Sequence, residues 1–327
     1  MRAFQLTDHG GPDALRLVEL PEPAPSDRDV LVDVQAIGVN FPDLLTTQGL
    51  HQHRPELPFV PGCEIAGVVR AAPDGSRWRA GDRVAAFVWQ GGYAETVAVP
   101  PSGLVAVPDG QDLGTAAAMI VNYHTVHFGL ARRGGLARGE RLLVLGAAGG
   151  IGTAGVQVGK GLGATVLAGV ANEAQAATAR AAGADDVVVL ERGFAARVRE
   201  LTAGAGIDVV LDPLGDWLFD EAVRTLAPEG RILVVGFVAG QIPNLKVNRL
   251  LLRNASAVGV AWGAFLDVDP TLIDSAATSL DRMFADGVVR PRIAARHRFE
   301  ELPSALHRLA RGEIAGKAVV ELPSRSG

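Results

Sequence analysis

A chain of 327 residues with 48% hydrophobic and 20% charged residues has the composition of a globular protein, and its length points to two domains around sizeable cores. A formal net charge of -5 offers no basic surface for nucleic acid, and no apolar run reaches the ~18 residues of a membrane span. Cys63 is the single cysteine, which excludes an intrachain disulfide and a structural zinc on cysteines.

The first ten residues hold no apolar stretch of signal-peptide length, so the expected address is cytoplasmic. Residues 1–120 alternate short apolar runs with prolines at 21, 23, 25, 42, 55, 58, 61, 100 and 101. Runs 30–37, 65–69, 84–88 and 93–99 read as strands, the last two joined through Gly91 and Gly92. This is the texture of a partly open β-barrel. Residues 115–130 read as one helix leading into a second domain.

That domain starts at a glycine cluster. The apolar run 142–145 enters Ala147-Ala148-Gly149-Gly150-Ile151-Gly152 and then a small-residue helix, the pattern strand, tight turn, helix. Such glycines let backbone approach a pyrophosphate, which the free N–H groups and dipole of the new helix favour. The first glycine of the G-x-G-x-x-G fingerprint is Ala147, so the glycines alone are weak evidence. Their context strengthens them: runs 165–170, 186–190, 207–211 and 231–235 alternate with helix-length segments, as in a doubly wound parallel α/β sheet. Residues 254–262 read as a sixth strand at its edge, with no charge or proline from Ala255 to Ala261. An unprotected edge of this kind is expected to be covered by a second copy, as a homodimer. Helices are expected over 270–287 and 300–312, and a closing strand over 317–322 rejoins the first domain. The boundaries expected are 1–120 plus 262–327 for the outer domain and 121–261 for the inserted dinucleotide domain.

Six motifs in order carry a family resemblance: Gly38-Val39-Asn40-Phe41-Pro42-Asp43, residues 58–67, Gly81-Asp82-Arg83-Val84, Gly92-Tyr93-Ala94-Glu95, residues 147–152, and Gly183-Ala184-Asp185. The chain resembles the zinc-free quinone oxidoreductase branch of the medium-chain dehydrogenase/reductase superfamily, the branch that includes zeta-crystallin. The resemblance implies a GroES-like catalytic domain interrupted by a Rossmann domain, with substrate in the cleft between them. Where zinc members carry a cysteine and a histidine, this chain has Asn40 and Cys63. A zinc site needs three protein ligands, and one cysteine with Glu64 falls short, so no metal is expected. His51 and His53 would need further ligands to hold one.

Without a Lewis acid, hydride transfer to a quinone or to an alkene conjugated with a carbonyl is the expected chemistry, since modest donors can stabilise the developing oxyanion. The resemblance makes Asn40 such a donor and a cofactor neighbour, and puts Thr125 beside the nicotinamide. Tyr123 and His124 are candidate proton donors or satisfied helix residues. Trp89 and Trp262 have flat faces suited to a quinone or to core packing. Gly149, Gly150, Ile151 and Gly152 are the expected pyrophosphate turn. Gly169 and Asn172 close the second strand near the ribose, Leu214 is expected to contact cofactor through its backbone, and Phe237 lines the nicotinamide pocket. Lys317 resembles a family position near the cofactor, although a lysine entering a closing strand is commonly solvent-facing.

An NAD site places an acid at the end of the second strand, where this chain has Asn172; NADPH is therefore expected, with NADH possible. The family's phosphate-binding lysine and tyrosine correspond to Gln175 and Leu190, leaving Arg192 or Arg180 to compensate. Alternatives are an enoyl-thioester reductase, for which no lysine cluster is visible, and a non-catalytic NADPH-binding protein.

Overall fold

In a computed structural model, residues 1–24 and 26–324 are described; Pro25 of the proline series lies outside them. The chain forms two compact units, Met1–Val121 with the segment from Ile293 onward, and Asn122–Arg292.

The first unit opens with an antiparallel hairpin of β1 (Arg2–Leu6) and β2 (Leu15–Glu19) that apolar patterning did not reveal. Next come β3 (Val30–Val39), α1 (Phe41–Thr47), β4 (Glu64–Ala71), β5 (Arg83–Phe87), β6 (Thr96–Val99) and β7 (Leu104–Ala106). Helix α1 was likewise not expected, yet its signal was present: Asn40 at the N-cap, Pro42 in the first turn and Asp43 three residues on, whose Oδ2 accepts from the Asn40 N–H at 2.9 Å.

The expected helix over 115–130 is broken. An Asp112-capped turn, α2 (Leu113–Ala117), stops at Ala118, and α3 (Ile120–His127) starts afresh before a π turn over Phe128–Arg133. The break has a cause: the Glu64 carboxylate accepts the Val121 N–H at 2.7 Å, an external anion on the unpaired donors of a new helix start.

The second unit holds β8 (Arg141–Leu145), α4 (Gly150–Gly161), β9 (Thr165–Val170), α5 (Glu173–Ala181), β10 (Asp186–Val189), α6 (Phe194–Leu201), β11 (Ile207–Asp212), α7 (Asp216–Thr225), β12 (Leu226–Val234), α8 (Asn248–Arg253) and β13 (Ser256–Gly259). Its strand order is β10-β9-β8-β11-β12-β13, all parallel, with the reversal of strand order between β8 and β11 that defines the Rossmann arrangement. As expected, β13 is the edge.

The expected return at residue 262 is a correction. Helices α9 (Trp262–Phe265) and α10 (Leu272–Ala285) stay with the second unit, and the first resumes at Ile293. The buried Trp262 ring lies 5.4 Å from that of His124, and the Met283 sulfur sits against Gly161 of α4, where a Cβ would lie 2.6 Å from it. These are core contacts of the nucleotide unit. Strand β14 (Ile293–Arg298) then leads through α11 (Leu302–Ala310) to β15 (Lys317–Glu321), which pairs antiparallel with β3 and closes the sheet order β14-β15-β3-β4-β5-β7, with β6 also on β3. The sheet wraps a core that includes Phe4, Ile37, Ile65, Leu104 and Phe299 and does not form a closed barrel among the described residues.

Candidate functional site

In the second unit, β8 ends at Leu145 and the chain turns through Gly146 into α4, with Gly149 as its N-cap. Gly152 is buried against this turn, and a Cβ there would overlap the Gly146 carbonyl oxygen. Gly149 is different: its backbone is extended, φ -81 and ψ -178, and a Cβ would meet only the Gly146 oxygen at 3.5 Å. One glycine is thus required by helix-to-strand packing, while the other leaves open space in front of the helix N–H groups.

Other predicted residues gather at these strand ends. The Gly169 carbonyl accepts from Ala147 N at 2.9 Å, and Leu190 packs where a Gly169 side chain would go. The Leu214 side chain lies on Gly146, and Phe237 lies on Gly215. At Leu214 the N–H donates to Asp212 Oδ1 at 2.8 Å, and the carbonyl accepts from Ala239 N at 3.0 Å, which leaves its second lone pair and the side chain to meet a ligand. Asn172 caps α5, its Oδ1 accepting from Gln175 N at 3.1 Å.

Tyr123 is 2% exposed, and its hydroxyl donates to Gln157 Oε1 at 2.8 Å; the Gln157 amide donates in turn to the Arg290 carbonyl at 2.9 Å. That hydroxyl ties α3 to α4 and to the end of the unit, which matches the reading of a satisfied helix residue, and burial pushes its pKa upward. His124 is buried against Trp262, which therefore packs in the core, and Thr125 is half-buried. Trp89 keeps 37% exposure beside His53 and Phe87, with ring centroids 5.1 and 5.0 Å away.

The first unit contains a buried charge cluster that the sequence did not disclose. Lys317 is 5% exposed, and its ammonium lies 2.6 Å from Glu64 Oε2, whose residue is wholly buried. Lys317 also donates to Asn40 Oδ1. The Asn40 amide donates to Glu64 Oε2 at 3.0 Å and to the Gly38 carbonyl at 3.1 Å. Both Asn40 hydrogens are therefore engaged, which corrects the expectation of a free amide donor for a substrate oxygen. Asn40 instead joins lysine to glutamate. Gly38 permits this closeness, because a Cβ there would overlap Glu64 and the Ala117 carbonyl.

Asp43 borders the cluster, with the Cys63 thiol and Tyr93 hydroxyl beside it and Lys317 in electrostatic reach. Burial raises its carboxyl to about 6, only partly offset by those hydrogen-bonding groups. The folded state thus holds a proton that the unfolded state, near the ordinary value of 3.8, releases earlier. The contribution to stability is fully present at acid pH and is lost as pH rises from about 4 to about 6. Urea midpoints measured across that window should fall with pH for the wild type relative to Asp43→Asn; equal slopes would refute this.

Both units have counterparts among known proteins. A family model described as alcohol dehydrogenase GroES-like domain matches residues 26–109, and one described as zinc-binding dehydrogenase matches 150–278. A bovine (Bos taurus) relative, quinone oxidoreductase-like protein 2, is 34% identical over 310 residues, 94% of this chain and 89% of that protein. Among solved structures, a probable oxidoreductase from Mycobacterium abscessus is 49% identical with a TM-score of 0.91, covering 98% and 99% of the two chains. The quinone oxidoreductase from Thermus thermophilus, solved also with NADPH, is 35% identical with a TM-score of 0.84, covering 98% and 100%.

The donor set does not fit the zinc in the second model's description. Position 40 offers an amide that is already hydrogen-bonded, and Lys317 brings a positive charge against Glu64. Burial, then Asp43 and Glu64, push the Cys63 thiol well above its ordinary range, away from the thiolate a metal requires. Among the described residues no group of three or more His, Cys, Asp or Glu converges on one point. With a GroES-like unit, a Rossmann unit and an ammonium–carboxylate pair beside the substituted zinc-ligand positions, the chain belongs to the medium-chain dehydrogenase/reductase superfamily, in its zinc-free quinone oxidoreductase branch.

Proposed function

We propose that this protein is an NADPH-dependent reductase that delivers hydride to a quinone or to an alkene conjugated with a carbonyl, without zinc. The observation that carries the reading is the open space at Gly149 in front of α4, on a sheet of Rossmann order, in a chain 35% identical to a quinone oxidoreductase solved with NADPH. NADPH supplies the hydride when bound. The N–H groups of Gly150, Ile151 and Gly152 meet the pyrophosphate, Gly169 and Asn172 border the ribose, and Thr125, Leu214 and Phe237 bound the nicotinamide. In the first unit the Lys317 ammonium pairs with Glu64 and donates to Asn40.

The test is NADPH oxidation with a panel of quinones, enones, an enoyl thioester and an aldehyde, with and without chelator. Turnover of quinones or enones that chelator does not alter is expected. Turnover of the thioester alone, or of no acceptor, overturns the reading.

We also propose that the protein is a homodimer through β13. Ser256, Ala257 and Gly259 of this edge are exposed, and the segment before it exposes Ile242, Val247, Leu251 and Leu252, the last at 79%. An uncharged edge beside exposed apolar side chains favours pairing with its own copy. Val258 is half-buried on the edge, whereas Val260 is buried against Gly129, so a lysine at 260 would test the core instead. Val258→Lys with Leu252→Glu should convert the assembly to monomers in light scattering; a wild-type monomer mass near 34.0 kDa would sink the idea.

A further inference from the structure

The adenosine half of the Rossmann sheet, β8 to β10, contains no acid at the end of β9, where one would bind the ribose hydroxyls and repel a 2′-phosphate. Asn172 stands there, capping α5. Gln175 is uncharged, and its Oε1 accepts from Ala171 N at 3.1 Å. Leu190 is turned onto Gly169. A phosphate at this ribose therefore needs a cation from elsewhere.

The cations of this half are mostly committed or misplaced. Lys160 is paired with Asp185 at 2.8 Å, and Arg197 with Glu200 at 2.9 Å. Arg180 lies in the last turn of α5, at the opposite end of that helix from Asn172. Arg192 differs in every respect. The last hydrogen bond between β10 and β9 is Leu190 N to the Val170 carbonyl at 2.8 Å, and Arg192 lies two residues beyond it, after Glu191, past the carboxyl end of the edge strand. Arg192 and Asn172 each lie two residues past that bonded pair, at the same end of the sheet. Its guanidinium carbon stands 4.6 Å from the ring centroid of Trp217, in the first turn of α7, and Arg192 has no carboxylate partner among the described residues. An aromatic face orders the side chain without neutralising it, and a planar fork with unused donors suits a phosphate.

We propose that Arg192, braced on Trp217, binds the 2′-phosphate of NADPH in this chain. The assignment rests on the NADPH reading above. Isothermal titration of the full-length protein with NADPH, NADH, 2′,5′-ADP and 5′-AMP separates the two. Arg192→Ala should weaken NADPH and 2′,5′-ADP by roughly ten- to hundred-fold, the weight of a charged hydrogen bond, and leave NADH and 5′-AMP unchanged. Arg192→Lys should recover part of the loss, and Trp217→Leu should weaken only the phosphorylated ligands, by a smaller factor. Unchanged 2′,5′-ADP binding in Arg192→Ala, or equal losses for NADPH and NADH, overturns the assignment. A wild-type protein that binds NADH but not NADPH, or neither, overturns the NADPH reading and this one with it.

Discussion

Lys317→Met should destabilise the first unit by about 3–5 kcal/mol, the usual cost of removing one partner from a buried ion pair and leaving the other charge in place. Glu64 is wholly buried, and its remaining contacts, Val121 N at 2.7 Å and the Asn40 amide at 3.0 Å, do not neutralise it. The double variant Lys317→Met with Glu64→Gln removes both charges while an amide oxygen can still accept from Val121, so it should be more stable than the single variant. Hydrogen exchange at the amides of β3, β4 and β15 under increasing urea reads this locally. A single variant as stable as wild type would mean that the pair is not neutralising a buried charge.

The second large effect separates two glycines of one turn. Gly152→Ala should cost about 1–3 kcal/mol in the nucleotide unit and abolish cofactor binding with it, because even a methyl group overlaps the Gly146 carbonyl and forces the turn apart. Gly149→Val should leave thermal unfolding almost unchanged, apart from glycine's advantage over valine at an N-cap. Its backbone is extended and its surroundings open, so the branched side chain projects where an anion would approach α4. NADPH affinity should fall more than tenfold, as expected when the N–H cradle is blocked. Differential scanning fluorimetry together with titration distinguishes the cases; unchanged affinity in Gly149→Val would place the dinucleotide elsewhere.

The sequence by itself determined the local features. Alternation and apolar runs located β3, β4, β5 and the six strands of the parallel sheet to within a few residues, β12 excepted: it begins at Leu226 and bulges before joining β11 again at Arg231. The strand order made β13 an edge, and the glycine spacing located the turn into α4. These signals are legible because backbone conformation and side-chain periodicity depend on neighbours in the chain. The missing zinc ligands were equally legible, since residue type at a motif position is enough to remove a thiolate.

What the tertiary structure decided were the partners. Lys317 and Asn40 are 277 residues apart, and nothing local to β15 tells a lysine that it will be buried on Glu64 rather than solvated. The same contacts took both hydrogens of Asn40, and Gln157 took the hydroxyl of Tyr123, so two residues of suitable type for catalysis have their donors engaged within the fold. Burial and the groups around it, rather than residue type, raised Asp43. A carboxylate on β4 divided a helix that periodicity read as continuous, and packing of Trp262 and Met283 kept residues beyond the sixth strand in the nucleotide unit. Hydrogen-bond capacity and charge are properties of a side chain, but whether they are spent depends on which distant segment folds against it.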